Sequence, residues 1–132
     1  MTPKVKPGSK DTWDGFDGER QRIFKFIAEE KIPGVIIFSA DRHRSDAYKI
    51  DTGIKGMYHL YECQSSRLTN QHMHGLIKHS LFGYNQKQSI GRVDFNLKAS
   101  DPTFKYTIIN IDGKAIDSLE VKRSQLQCKD SK

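Results

Sequence analysis

RIFKFIAEEKIPGVIIFS, residues 22–39, is the stretch that decides the fold. Its first half places apolar side chains at i, i+3 and i+4, the spacing of one face of an α-helix: Ile23, Phe26 and Ile27. Asp17 is a suitable N-cap, so the pattern predicts a helix from there to about residue 31. Arg20 falls on the opposite, polar face of that helix and is expected to point toward water.

The second half of the stretch is a turn followed by a strand. Pro33-Gly34 ends the helix, and the continuous apolar run 35–39 predicts a strand that is buried on both faces. Helix, tight turn and buried strand in this order are typical of an α/β sheet, in which ligands bind beyond the carboxyl ends of the strands. Asp41 and His43 occupy that place, directly after the predicted strand.

Two interpretations of the segment FSADRH, residues 38–43, stay open on the residues alone. If the chain remains extended after the strand, the side chains of Asp41 and His43 point to one side and that of Arg42 points to the other. A carboxylate and an imidazole that face one point suit a metal site or a catalytic site. The alternative is a surface turn with ordinary solvated charges.

A loop rich in hydroxyl and imidazole groups, QSSRLTNQHMHG, covers residues 64–75. Its two histidines, His72 and His74, are either two further metal ligands or two solvated loop residues. Its hydroxyl groups either cap turns or shape a loop on the substrate side: Ser65, Ser66 and Thr69.

Further strands are predicted by apolar runs and by alternation: 47–51, 57–63, 91–98 and 104–111. The alternation in 91–98 places three apolar side chains inward: Val93, Phe95 and Leu97. Asp112-Gly113 is a strong hairpin signal, after which a last strand runs to about residue 122. The C-terminal third is therefore predicted to be an antiparallel β-meander.

Length and charge restrict the class of protein. The 132 residues suffice for one compact domain, predicted over 11–122, with an extended basic lead-in at 1–10 and a basic polar tail at 123–132. The net charge of +6 comes from the two ends, and the segment between them is neutral, which does not favour a nucleic-acid binder. No apolar run is long enough to span a membrane. Cys63 and Cys128 match neither a disulfide scaffold nor a metal-finger spacing.

Four motifs, taken in order, resemble the C-terminal part of the alkaline phosphatase D family, metallophosphatases related to the calcineurin-like phosphoesterases: DTWDGF (11–16), FSADRH (38–43), SSRLT (65–69) and GRVDFN (91–96). The resemblance implies an α/β (α+β) fold, namely the C-terminal half of a metallophosphatase β-sandwich with a flanking helix, one buried strand after it, and a closing antiparallel meander. One local departure is Ala40, which stands where the family usually has glycine. A methyl group there restricts the turn.

The resemblance also implies roles for individual residues. Asp41 and His43 match metal-site positions. In the chemistry that this implies, Arg42 or Arg44 either contacts phosphate or is a solvated surface charge. Three residues match family motif positions whose role is substrate-side or structural: Trp13, Asp14 and Arg20. The cofactors implied are metal ions, with iron, calcium, manganese and zinc as the candidates.

The function implied by the resemblance is hydrolysis of phosphate esters by a metal-activated water. The family carries most of its metal ligands upstream, in motifs that this chain does not contain, so we expect the chain alone to be inactive. An unpaired sheet edge is then expected to favour self-association. The family is commonly secreted or periplasmic, but residues 1–10 show no apolar signal core, so the sequence leaves the localisation undecided. The alternative function is a non-catalytic α/β interaction module that docks on a partner chain.

Overall fold

The computed structural model describes residues 11–69 and 71–129. Within these ranges the fold is mixed α/β, mostly strands, with one α-helix and two sheets. The elements are α1 (Asp17–Glu29), β1 (Ile36–Ser39), β2 (Ser45–Ile50), β3 (Leu60–Ser65), β4 (Phe82–Tyr84), β5 (Ser89–Asn96), β6 (Thr103–Asn110) and β7 (Ala115–Lys122), with short 3-10 helices at Trp13–Gly15 and Arg123–Gln125. None of the helices in the described ranges has the length and apolar character needed to cross a membrane.

The first sheet has the strand order β1-β3-β2-β4. Strand β1 pairs with β3 in parallel, whereas β2 is antiparallel to both of its neighbours. The prediction that 35–39 is buried on both faces is wrong, because β1 is an edge strand and Phe38 is 55% exposed. The buried centre of this sheet is β2 and β3, where Ala47, Leu60 and Cys63 lie in the core.

The second sheet is the antiparallel meander β5-β6-β7, as the sequence predicts. Its last two strands are joined by a turn at Asp112-Gly113, where Gly113 has a φ of 76°. The inward placement predicted for Phe95 and Leu97 is wrong, since these side chains are 61% and 74% exposed. Leu97 lies beyond the end of β5 at Asn96, and the ring of Phe95 contacts that of Phe104 at 5.8 Å while one side of it stays exposed.

The two sheets meet through a polar seam as well as through apolar packing. The hydroxyl of Tyr106 on β6 donates a hydrogen bond of 2.7 Å to the carbonyl oxygen of Gln64 on β3. The hydroxyl oxygens of Ser45 and Ser89 lie 2.9 Å apart, and the rings of Phe82 and Tyr106 stack at 6.4 Å. The end of β3 and the start of β2 are therefore held firmly against the meander.

Helix α1 buries Phe24 and Ile27, but Phe26 is 57% exposed, so the predicted apolar stripe is only partly inward. The N-cap residue is Phe16, one position before the predicted Asp17. The prediction that Arg20 faces water is wrong: this residue is 6% exposed, and its guanidinium donates to Asp14 at 3.3 Å and to Asp17. Two carboxylates beside the first turn compensate the buried charge and draw the side chain inward.

The predictions for the two ends of the chain can be compared with the structure only in part. The predicted basic lead-in, residues 1–10, and the last three residues of the predicted tail lie outside the described residues. The earlier part of that tail is folded, because Leu126 is buried in the core and its carbonyl oxygen accepts a bond of 2.9 Å from the amide of Gly34.

Candidate metal centre

The connection between β1 and β2, residues 40–44, is a tight turn with an unusual backbone. Asp41 and His43 both adopt left-handed conformations, with φ values of 76° and 49°. The chain is therefore not extended here, and the alternation argument for Asp41 and His43 does not apply. Non-glycine residues in this region cost conformational free energy and are concentrated at functional sites.

This turn lies next to the histidine-rich loop because of the sheet topology. Strands β1 and β3 are parallel neighbours, with Ser39 paired to Gln64 at their carboxyl ends. The segments that follow the two strands therefore leave the sheet at the same edge. One of them carries His43, and the other carries His72 and His74.

Three imidazoles form a cluster at this edge. The ring centroids are separated by 5.5 Å for His43–His72, 5.6 Å for His43–His74 and 5.0 Å for His72–His74. One ring nitrogen from each lies within 4.8 Å of the others. His43 and His74 are half-buried and His72 is exposed, so the cluster is accessible from one side.

The donor set fits a divalent metal ion of borderline character. Three histidines with one open position are a recurrent catalytic zinc site, and Zn–N bonds are about 2.0–2.1 Å long. Two nitrogen atoms on one such ion are then at most about 4.2 Å apart, which small rotations of these side chains reach. Burial, followed by the charge of Arg42, lowers the pKa of His74. A lowered pKa favours the neutral imidazole, which is the form that binds metal.

The predicted partner of His43, Asp41, lies outside this cluster. Its side chain is exposed on the same turn, and it is not among the residues whose ligand atoms converge. The structure thus brings His43 together with His72 and His74, the two residues that the sequence offered only as further donors.

The two arginines of the turn have different surroundings. Arg44 is fully buried, where its Nε donates to the Asp46 carboxylate and its Nη2 donates to the Tyr48 hydroxyl at 3.1 Å. Arg42 is half-buried and close enough to His74 to affect its pKa. Both guanidinium charges affect the pKa of His74, but only Arg42 has solvent access, and Arg44 supports the turn from inside.

The remaining predicted residues lie at the end of β3 and at the start of α1. Ser66 ties the histidine loop to the turn, since its amide and its hydroxyl both donate to the carbonyl oxygen of Arg44 at 3.3 Å. Ser65 ends β3 at the polar seam, 3.5 Å from the hydroxyl of Ser45. Trp13 and Asp14 lie at the start of α1, where Trp13 lines a groove with helix residues and Asp14 binds Arg20.

Sequence reasoning missed three residues around the cluster. Two of them are Asp46 and Tyr48, the buried partners of Arg44, for which alternate polar residues in a strand were an available signal. The third is Asn85, whose side-chain amide donates to the carbonyl oxygen of His74 at 3.1 Å. No local pattern marks Asn85, because its partner is 11 residues away across a loop.

Comparison with known proteins gives one match. A family model described as PhoD-like phosphatase matches residues 2–128. Neither the curated proteins nor the solved structures contain a match to this chain.

Proposed function

This chain belongs to the PhoD-like phosphatase family, and we propose that it supplies part of the metal centre of a metal-dependent phosphatase. The observation that carries the proposal is the convergence of His43, His72 and His74 at the carboxyl ends of two parallel strands. A phosphatase-type function follows from the family, and the assignment of these residues to the metal is our inference. The substrate class is a phosphate ester.

Each residue of the site has a role in this proposal. His43, His72 and His74 hold the metal. Asp41 lies outside the cluster on the same turn, and a movement of the turn would be needed for its carboxylate to serve as a further donor, one suited to harder ions such as iron, calcium or manganese. The metal, when bound, lowers the pKa of a bound water and polarises the phosphoryl oxygen. The Arg42 guanidinium binds and orients the phosphate and stabilises the negative charge on its non-bridging oxygens.

Two finer statements from the sequence are part of the same proposal. The two sheets are proposed to correspond to the C-terminal half of a metallophosphatase β-sandwich. The chain alone is expected to show no appreciable turnover, because the family carries most of its metal ligands in upstream motifs that this sequence does not contain. Self-association is not part of the proposal, since no observation in the described residues supports it.

Metal binding by the purified chain tests the site. We expect one equivalent of Zn²⁺ or Co²⁺ to bind, with affinity lost in His43→Ala and His74→Ala. His59→Ala is the matched control, because His59 is an exposed histidine outside the cluster. Equal metal binding by all four proteins would contradict the assignment. Absence of binding by the wild-type chain would favour the interaction module.

Phosphate recognition and turnover test the chemistry. Inorganic phosphate is expected to bind the zinc-loaded chain more tightly than the metal-free chain, with the difference reduced in Arg42→Gln. A chromogenic phosphate monoester and diester are assayed with iron, calcium, manganese and zinc. Turnover that is abolished in His43→Ala would support the phosphatase site and overturn the expectation that the chain alone is inactive.

A further inference from the structure

The loop between β3 and β4, which carries His72 and His74, is anchored to the β4–β5 connection at two points. The guanidinium of Arg67 donates from Nη1 to the backbone carbonyl oxygen of Asn85. The side-chain amide of Asn85 in turn donates to the backbone carbonyl oxygen of His74 at 3.1 Å. The backbone carbonyl of Asn85 therefore accepts a hydrogen bond from the start of the loop, and its side-chain amide donates one to the end that carries His74.

Asn85 connects His74 to the same part of the sheet that positions His43. It follows directly on Tyr84, the last residue of β4, which is buried and paired with Ser45. Ser45 is the first residue of β2, two positions after His43. The route from one histidine to the other thus runs through paired strands and a single side-chain amide.

The backbone of Arg67 indicates that the anchor matters. Arg67 has a φ of 84°, a conformation that non-glycine residues rarely adopt. A glycine would occupy it without strain. The arginine side chain is nevertheless present, and its described contact is the bond to Asn85.

From these contacts we propose that Asn85 is a positioning residue for the metal centre, with Arg67 as its partner. The inference rests on the proposed metal site. By holding the backbone of His74, Asn85 sets the position of that imidazole relative to His43 before metal arrives. Groups that hydrogen-bond a ligating side chain typically change metal affinity by about 10–100-fold when removed, and Asn85 acts one step further back, through the backbone of His74.

Zinc affinity, measured by competition with a chromogenic chelator, tests the role of Asn85. We expect Asn85→Ala to weaken zinc binding by about 10-fold, the lower end of that range, and to alter the visible absorption of bound Co²⁺. Asn85→Gln keeps an amide donor and is expected to recover part of the affinity. The matched control is Asn96→Ala, an exposed asparagine at the end of β5, for which no change is expected.

The Arg67→Gly variant separates positioning from stability. Glycine suits the left-handed backbone, so the melting temperature of the metal-free chain should be unchanged or higher. Zinc affinity should nevertheless fall, because the bond to Asn85 is lost. Unchanged zinc affinity in both Arg67→Gly and Asn85→Ala, with the wild-type chain binding zinc, would overturn the inference.

NMR of the metal-free chain tests the positioning role of Asn85 even if the chain binds no zinc. The imidazole resonances of His74 in the metal-free chain are expected to shift in Asn85→Ala and not in Asn96→Ala. A wild-type chain that binds no zinc would contradict the proposed function. Unchanged His74 resonances in a folded Asn85→Ala chain would contradict the positioning role.

Discussion

At the scale of single residues, the most consequential feature is a pair of opposite charges with no access to water. The side chains of Arg44 and Asp46 are both 0% exposed, and Tyr48 donates to Asp46 at 3.1 Å. Burial, together with the charge of Asp46, raises the pKa of Tyr48 to about 12. The tyrosine therefore stays a neutral donor, and the buried carboxylate keeps two partners.

Removal of one charge should be costly. We expect Arg44→Met to lower the free energy of unfolding by about 3–5 kcal/mol, because the Asp46 carboxylate is left buried without its ion pair. The double variant Arg44→Met/Asp46→Leu should be more stable than Arg44→Met alone. Urea denaturation monitored by circular dichroism measures both.

A surface ion pair on β5 provides the control for this comparison. Arg92 and Asp94 lie 2.9 Å apart with side chains 56% and 51% exposed. Arg92→Met should cost less than about 1 kcal/mol, because solvent screens this pair. Equal losses in Arg44→Met and Arg92→Met would show that Arg44 is not buried as described.

At the scale of elements, the arrangement depends on a close contact between the two sheets. A Cβ atom added at Gly91 on β5 would lie 2.4 Å from Cε2 of Tyr106 and 3.0 Å from Cβ of Ser65. Tyr106 in turn donates its hydroxyl to the carbonyl oxygen of Gln64 on β3. The glycine thus allows the meander to reach the end of β3, where the histidine loop begins.

A methyl group at Gly91 should force the sheets apart. We expect Gly91→Ala to lower the free energy of unfolding by about 1–3 kcal/mol through overpacking. The ring of Tyr106 cannot move away without weakening its hydrogen bond to Gln64. Thermal and urea unfolding measure the loss. Gly18→Ala in α1 is the matched control: its added Cβ meets nothing within 4 Å, and stability should rise by up to about 1 kcal/mol. A stable Gly91→Ala would contradict the close contact.

At the scale of the whole molecule, the buried thiol of Cys63 links global stability to alkaline pH. Burial, with a smaller effect of the Glu62 charge, raises the pKa of Cys63 from 9.0 to about 12, and the residue is 1% exposed. The unfolded chain ionises this thiol near pH 9, whereas the folded chain does not. Its contribution to stability is therefore full below pH 9 and is lost as the pH rises from 9 toward 12.

Comparison of the wild-type chain with Cys63→Ala tests this linkage. Between pH 8 and pH 10 the thiol should remove about 1.4 kcal/mol from the wild-type free energy of unfolding, and this loss should be absent in the variant. Other ionising groups affect both proteins alike, so the difference in slope isolates Cys63. Unfolding is measured in urea with a reductant present. Equal pH dependence in the two proteins would contradict a buried, neutral thiol.

Local sequence patterns were sufficient to predict the elements that depend on neighbouring residues. The helix ending near Pro33-Gly34 and the hairpin at Asp112-Gly113 depend on neighbouring residues, and the structure has both. The candidate ligands were also identifiable by residue type, because imidazole is a frequent metal ligand. What the sequence determined by itself was thus the helix, the meander and a set of histidines.

Only the tertiary structure decided which of these residues meet. Phe38 is exposed because β1 lies at the sheet edge, a property of strand order that an apolar run does not encode. His43 meets His72 and His74 because β1 and β3 are parallel neighbours, although they lie far apart in the chain. Burial and ligand convergence arise from non-local pairing of strands, and no short window of sequence contains that pairing.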